Sequence, residues 1–220
     1  MRLGVLFSGG KDSTYAAYLA QQHGHELACL ITLVSENPDS FMFHTPTIAV
    51  TAAQAALMRL PHLQVATRGE EEREIQDLQK ALAQAEVDGI VTGAVGSVYQ
   101  ATRIQRVCHE LGLHVFNPLW QKDQLELLDE LINEGFEVIV SAVAAYPLDK
   151  HWVGRRIDEA FIKDVRLLQE QHHINPAGEG GEFETLVINC PLFSKPLVLG
   201  ETVVRGAGNS FRLEVRNAPH

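Results

Sequence analysis

Residues 3–7 (Leu-Gly-Val-Leu-Phe) form an apolar run that ends directly on Ser8-Gly9-Gly10-Lys11-Asp12-Ser13. Residues 14–23 (Thr-Tyr-Ala-Ala-Tyr-Leu-Ala-Gln-Gln-His) then continue as a helix-like stretch. A strand, a tight Gly-Gly turn and a helix start in this order leave few folds open. The glycines permit positive φ and close backbone approach. The free N–H groups and the dipole of the following helix then face whatever lies at the turn, and an anion suits that place. Lys11 adds a cation, and Ser8 and Ser13 add hydroxyl donors. Asp12 repels phosphate unless it caps the helix or helps to hold Mg²⁺. The spacing is not that of a Walker P-loop, which needs Gly-x-x-x-x-Gly-Lys followed by Ser or Thr.

The rest of the first two thirds repeats the alternation. Apolar strand-like runs at residues 2–7, 26–34, 63–66, 89–92, 114–116 and 136–144 alternate with helical patterns at 13–23, 47–59, 70–85, 97–111 and 123–134. This predicts an α/β fold with right-handed βαβ units and a doubly wound parallel sheet covered on both faces. Such a sheet binds ligands beyond the carboxyl ends of its strands, where the strand order switches. The loops at residues 8–13, 34–44 and 93–96 all lie at such ends. After residue 145 the pattern changes to one helix, residues 158–172, and three strand-like runs at 185–190, 197–205 and 211–216. The expected organisation is a nucleotide-binding domain over residues 1–145 and a smaller α+β substrate-binding element over 146–220.

Composition narrows the function. In 220 residues the formal net charge is −10, which excludes a broad basic surface and with it general binding to nucleic acid or anionic membranes. No run of about 18 apolar residues appears, and the chain starts on a strand without the features of a signal peptide, so a cytoplasmic protein is expected. The three cysteines, Cys29, Cys108 and Cys190, lie far apart with no metal or redox spacing, and read as core residues.

Two further segments carry chemistry. In Gly93-Ala-Val-Gly-Ser97-Val-Tyr99-Gln100-Ala-Thr-Arg103, Ser97 is placed to N-cap a helix, and Gln100 and Arg103 share one face of it. Arg103 has the fork geometry to clamp a phosphate or carboxylate. In Gly178-Glu179-Gly180-Gly181-Glu182-Phe-Glu184-Thr185, three carboxylates interleave with glycines just before a strand. They suit a cationic substrate group, a Mg²⁺ ion, or a proton taken from an attacking ammonium. Glu182 and Glu184, two apart on an extended segment, are expected to point the same way. His44 lies in the loop after the second strand, and Trp120 follows Pro118 near the fourth junction.

Residues 8–13 resemble the PP-loop of ATP pyrophosphatases, which split ATP between the α and β phosphates. The stretch Phe41-Met-Phe-His44-Thr-Pro46, the Gly96–Gln100 turn with Arg103, Asn117-Pro-Leu-Trp120 and the acidic glycine segment follow in this order. As a set they resemble the diphthine–ammonia ligase family, in its short form, over about residues 2–200. The resemblance implies ATP and Mg²⁺ as cofactors, with ATP on Ser8, Gly9, Gly10, Lys11, Asp12 and Ser13. It implies a substrate site from His44, Ser97, Tyr99, Gln100, Arg103, Glu179, Gly180, Gly181, Glu182, Glu184 and Thr185, and catalytic roles for Lys11, Asp12, Glu182 and Glu184. The implied reaction is adenylation of the diphthine carboxylate on elongation factor 2, then displacement of AMP by ammonium. Position 2 is Arg2 and no second catalytic domain is visible, so free ammonium is the expected donor. Sulfur transfer is disfavoured by the isolated cysteines. A ligase that amidates a small molecule, such as a cobalamin-linked one, and an ATP-binding sensor without turnover stay open, as does a homodimer.

Overall fold

The computed structural model describes residues 1–35, 50–67 and 71–216; His44 lies outside them. The parallel sheet consists of β1 (Arg2–Leu6), β2 (Glu26–Ser35), β3 (His62–Thr67), β4 (Gly89–Val91) and β5 (His114–Phe116), in the spatial order β3-β2-β1-β4-β5. Each pair runs parallel. Its helices are α1 (Lys11–Gln22), α2 (Thr51–Met58), α3 (Glu71–Gln84) and α4 (Val98–Glu110). Leu3, Val5 and Val91 pack with Tyr15, Ala16 and Ala17 of α1 in one core, while Ile31, Leu33 and Ile90 pack with Leu78 of α3 and Ile104 of α4 in another. The sheet is thus covered on both faces, which is why its strands read as continuous apolar runs. The strand order turns at β1, which lies between β2 and β4 and sends its loop into the crevice at their carboxyl ends.

The second layer contains α5 (Gln124–Asn133), β6 (Glu137–Val143), α6 (Glu159–His172), β7 (Phe183–Asn189), β8 (Glu201–Ala207) and β9 (Ser210–Arg216). Its four strands form an antiparallel sheet ordered β7-β6-β9-β8. One sequence expectation is corrected here. The apolar run at residues 136–144 does not join the parallel sheet; β6 pairs antiparallel with β7 and β9. A strand buried on both faces reads alike in either kind of sheet, and only its distant partners decide between them.

Helix starts follow local chemistry. The Ser97 side chain accepts from Gln100 N at 3.3 Å, Asp123 from Leu125 N at 2.9 Å, and Asp158 from Phe161 N at 2.8 Å. Each such cap contributes about 1 kcal/mol. α1 differs: its N-cap is Gly10, in an extended conformation and without a side-chain cap. The first amides of a helix have no helical acceptor, and here that of Lys11 turns to Thr185 Oγ1.

Candidate active site

The loop at residues 8–13 is knitted by its own hydroxyls. Ser8 N donates to Ser13 Oγ at 3.2 Å, the two serine hydroxyls lie 3.1 Å apart, and Thr14 Oγ1 donates to Gly10 O at 2.8 Å. Gly9 has φ +80°, and a Cβ there would lie 2.3 Å from Gln54 Oε1, so neither the conformation nor the space admits a side chain. Gly9 O is held from two sides, by Val187 N at 3.1 Å and by Gln54 Nε2 at 3.0 Å. Gln54, fully buried on α2, also donates to Val187 O at 2.8 Å. Lys11 N donates to Thr185 Oγ1 at 3.1 Å. The loop from the parallel sheet is therefore docked on β7 of the antiparallel one.

That docking changes the picture of Lys11. It is only 3% exposed, and its Nζ lies 2.9 Å from Asp12 Oδ2. Asp12 Oδ1 is buried with no hydrogen-bond partner among the described residues.

At the neighbouring junction Ser97, Tyr99 and Gln100 line the same cavity. Among the described residues Arg103 does not line it; its guanidinium lies over the Tyr99 ring, 3.3 Å from the centroid. Tyr99 is 39% exposed.

The acidic glycine segment closes the third side, and its three glutamates have different surroundings. Glu182, expected to point with Glu184, does not line the cavity. Its Oε1 accepts from Asn175 N at 2.8 Å and Asn175 Nδ2 at 2.7 Å, and its Oε2 accepts from Gly180 N at 2.8 Å. It precedes β7, and the loop donors draw its side chain away from the cavity. Glu179 reaches across to Gly96 N, with Oε2 at 3.0 Å. Burial raises its carboxyl above the usual range, and the nearby Asp12 charge adds to this. Glu184 lies on β7 and lines the cavity, and its Oε2 is buried without a partner among the described residues. Burial pushes this carboxyl up to about 7. Gly180, Gly181 and Thr185 also line the wall, Thr185 with its hydroxyl already engaged by Lys11 N.

The cavity measures about 960 Å³. Leu6, Ile31, Leu33 and Ile104 form an apolar wall at one end, and the Gly-Gly loop, Lys11, Asp12, Glu179 and Glu184 a polar wall at the other. Sequence reading missed the apolar wall, which only the sheet assembles, and it missed Gln54, one polar residue in an alanine-rich helix.

A sheet in this order, with a Ser-Gly-Gly-Lys-Asp-Ser loop at its switch point and a cavity of this size, defines a nucleotide-binding α/β protein of the PP-loop type. The family models described as diphthamide synthase N-terminal domain and diphthamide synthase C-terminal domain match residues 1–115 and 123–208. The chain belongs to the diphthamide synthase family. A Schizosaccharomyces pombe protein named diphthine–ammonia ligase is 34% identical over 98% of this chain and 39% of its own length. The Bos taurus protein of that name is 34% identical over 93% of this chain and 85% of its own length. The Homo sapiens protein of that name is 33% identical, over 94% and 86%. These relatives are ligases by name. Among the described residues no helix is long and apolar enough to cross a membrane.

Proposed function

We propose that this chain joins ammonium to the carboxylate of diphthine on elongation factor 2 in the cytoplasm, with ATP as the activating substrate. The observation that carries this is the docking of the phosphate loop on β7, which places Lys11 and Asp12 in one cavity with Glu179 and Glu184. The volume lies within the ~300–1,000 Å³ of small-molecule sites. The apolar wall suits a purine, and the first-turn amides of α1 suit a triphosphate.

The reaction balances in two steps. A carboxylate oxygen attacks the α-phosphorus and pyrophosphate leaves. Ammonia then attacks the acyl carbon, and AMP departs with that oxygen. The α1 amides and Lys11 stabilise charge growing on the departing pyrophosphate. Asp12, with its unpartnered Oδ1, fits a Mg²⁺ ligand beside the phosphates. No group of three or more His, Cys, Asp or Glu side chains among the described residues is arranged to hold a metal, so Asp12 is the residue that would hold it. When bound, Mg²⁺ supplies charge neutralisation to the phosphates. Ammonium must lose a proton before it attacks, and a carboxylate titrating near 7 is poised to take it; we assign that role to Glu184. Glu179 and the Tyr99 ring, which line the cavity, suit the trimethylammonium.

The test is incubation with ATP, ammonium and diphthine-bearing elongation factor. Amide formation is read by mass spectrometry and nucleotide products by chromatography. AMP with amidated factor is the expected result. Binding of ATP without AMP release would mark a sensor, and AMP release only with a small acceptor would mark a different ligase.

A further inference from the structure

The hydrogen bonds behind the acidic loop form a connected chain that the proposed reaction does not use. Gln124, the first residue of α5, accepts from Ala177 N at 3.0 Å and donates to Asn175 Oδ1 at 3.2 Å. Asn175 donates twice to Glu182 Oε1, and Glu182 Oε2 takes Gly180 N. Within the loop, Gly178 N donates to Asn175 O at 2.9 Å and Gly181 N to Gly178 O at 3.0 Å. The loop then folds back onto the start of β7, where a Cβ on Gly178 would lie 2.6 Å from Phe183 O. Glu184 follows Phe183 by one residue.

We propose that Asn175 and Gln124 are positioning residues: through Glu182 they hold the glycine loop shut over the start of β7, and so shield the buried Oε2 of Glu184. Glu182 is then an internal acceptor that satisfies loop donors and does not touch substrate. Its two oxygens accept three N–H bonds.

The catalytic consequence rests on Glu184 as proton acceptor, but the structural claim does not, because the environment of Glu184 can be read without turnover. The charged side chains of the same cavity are Lys11 and Asp12 from α1 and Glu179 from the loop, with Glu182 behind it. On the sheet side, Glu184 pairs with Ala142, which is itself opposite Arg212, and Arg212 is engaged by Glu214 at 3.2 Å. Burial is what moves Glu184, so opening the loop releases it.

The experiment is a carboxyl-carbon NMR titration of Glu184 in wild type, Asn175→Ala and Gln124→Leu. Each is paired with thermal unfolding and with calorimetric ATP titration. Asp88→Ala, which removes the acceptor of Arg2 N at the amino end of the parallel sheet, serves as the destabilised control. We expect the Glu184 midpoint to fall by about one pH unit or more in the two loop variants and to stay put in the control. ATP affinity is expected to hold within about threefold, and the acid limb of the amidation profile to move down with the midpoint. If Asn175→Ala does not fold, Gln124→Leu carries the test by itself, since it removes both of that side chain's bonds without adding a charge. An unchanged Glu184 midpoint in the loop variants, or an equal fall in Asp88→Ala, overturns the proposal. A wild type that amidates nothing defeats the functional reading and leaves the NMR result to decide this one.

Discussion

Replacing Glu184 by Gln should make the protein more stable at pH 8 while disabling it. Burial moves this carboxyl from 4.5 to about 7. Between those values the unfolded chain ionises and the folded one stays protonated. The folded state therefore has its advantage from this group below 4.5, and loses it as pH rises through 7. At ~1.4 kcal/mol per unit, the wild type gives up on the order of 3 kcal/mol over that interval, and the Gln variant does not. For a chain of this length ~1 kcal/mol shifts the melting temperature by about 2–4 °C. The assay is thermal unfolding of both proteins from pH 4 to 8. The amide brings N–H donors into a place that holds a partnerless oxygen, which costs ~1–3 kcal/mol at every pH. The pH dependence of the gap between the two proteins, not its absolute size, thus isolates the charge. We expect the gap to open in favour of the variant by about 6–12 °C between pH 4 and 8, with amidation at least ~10²-fold down. A gap that does not change with pH would refute the claim that Glu184 is a dry, raised carboxyl.

Three more outcomes follow from the same geometry. Lys11→Ala should lower stability as well as turnover, because Lys11 is buried against Asp12; wild-type AMP release would remove it from the site. Gly9→Ala should cost about 1–3 kcal/mol for its positive φ alone, with more from Gln54 Oε1, and should abolish ATP binding by calorimetry. With wild type, chromatography should show AMP and pyrophosphate, and ammonium should serve without glutamine; ADP as main product would contradict the PP-loop assignment.

The sequence by itself determined the parts whose physics is local. The Gly-Gly turn between an apolar strand and a helix fixes a phosphate cradle whatever surrounds it, and Ser97, Asp123 and Asp158 start helices as their short polar side chains dictate. The alternation of apolar and amphipathic runs fixed the parallel sheet, and with it the convergence of the loops at its carboxyl edge. Contacts between residues far apart in the chain were beyond its reach. Whether β6 joins the first sheet or the second depends on β7, some forty positions later. Lys11 is dry because Thr185, 174 residues away, lies against its amide. Glu182 and Glu184 look equivalent in the sequence, yet one is consumed by Asn175 and Gly180 and the other is left unpartnered in the cavity. A carboxylate's role is set by the dielectric and the donors around it, and those are assembled only when the chain has folded.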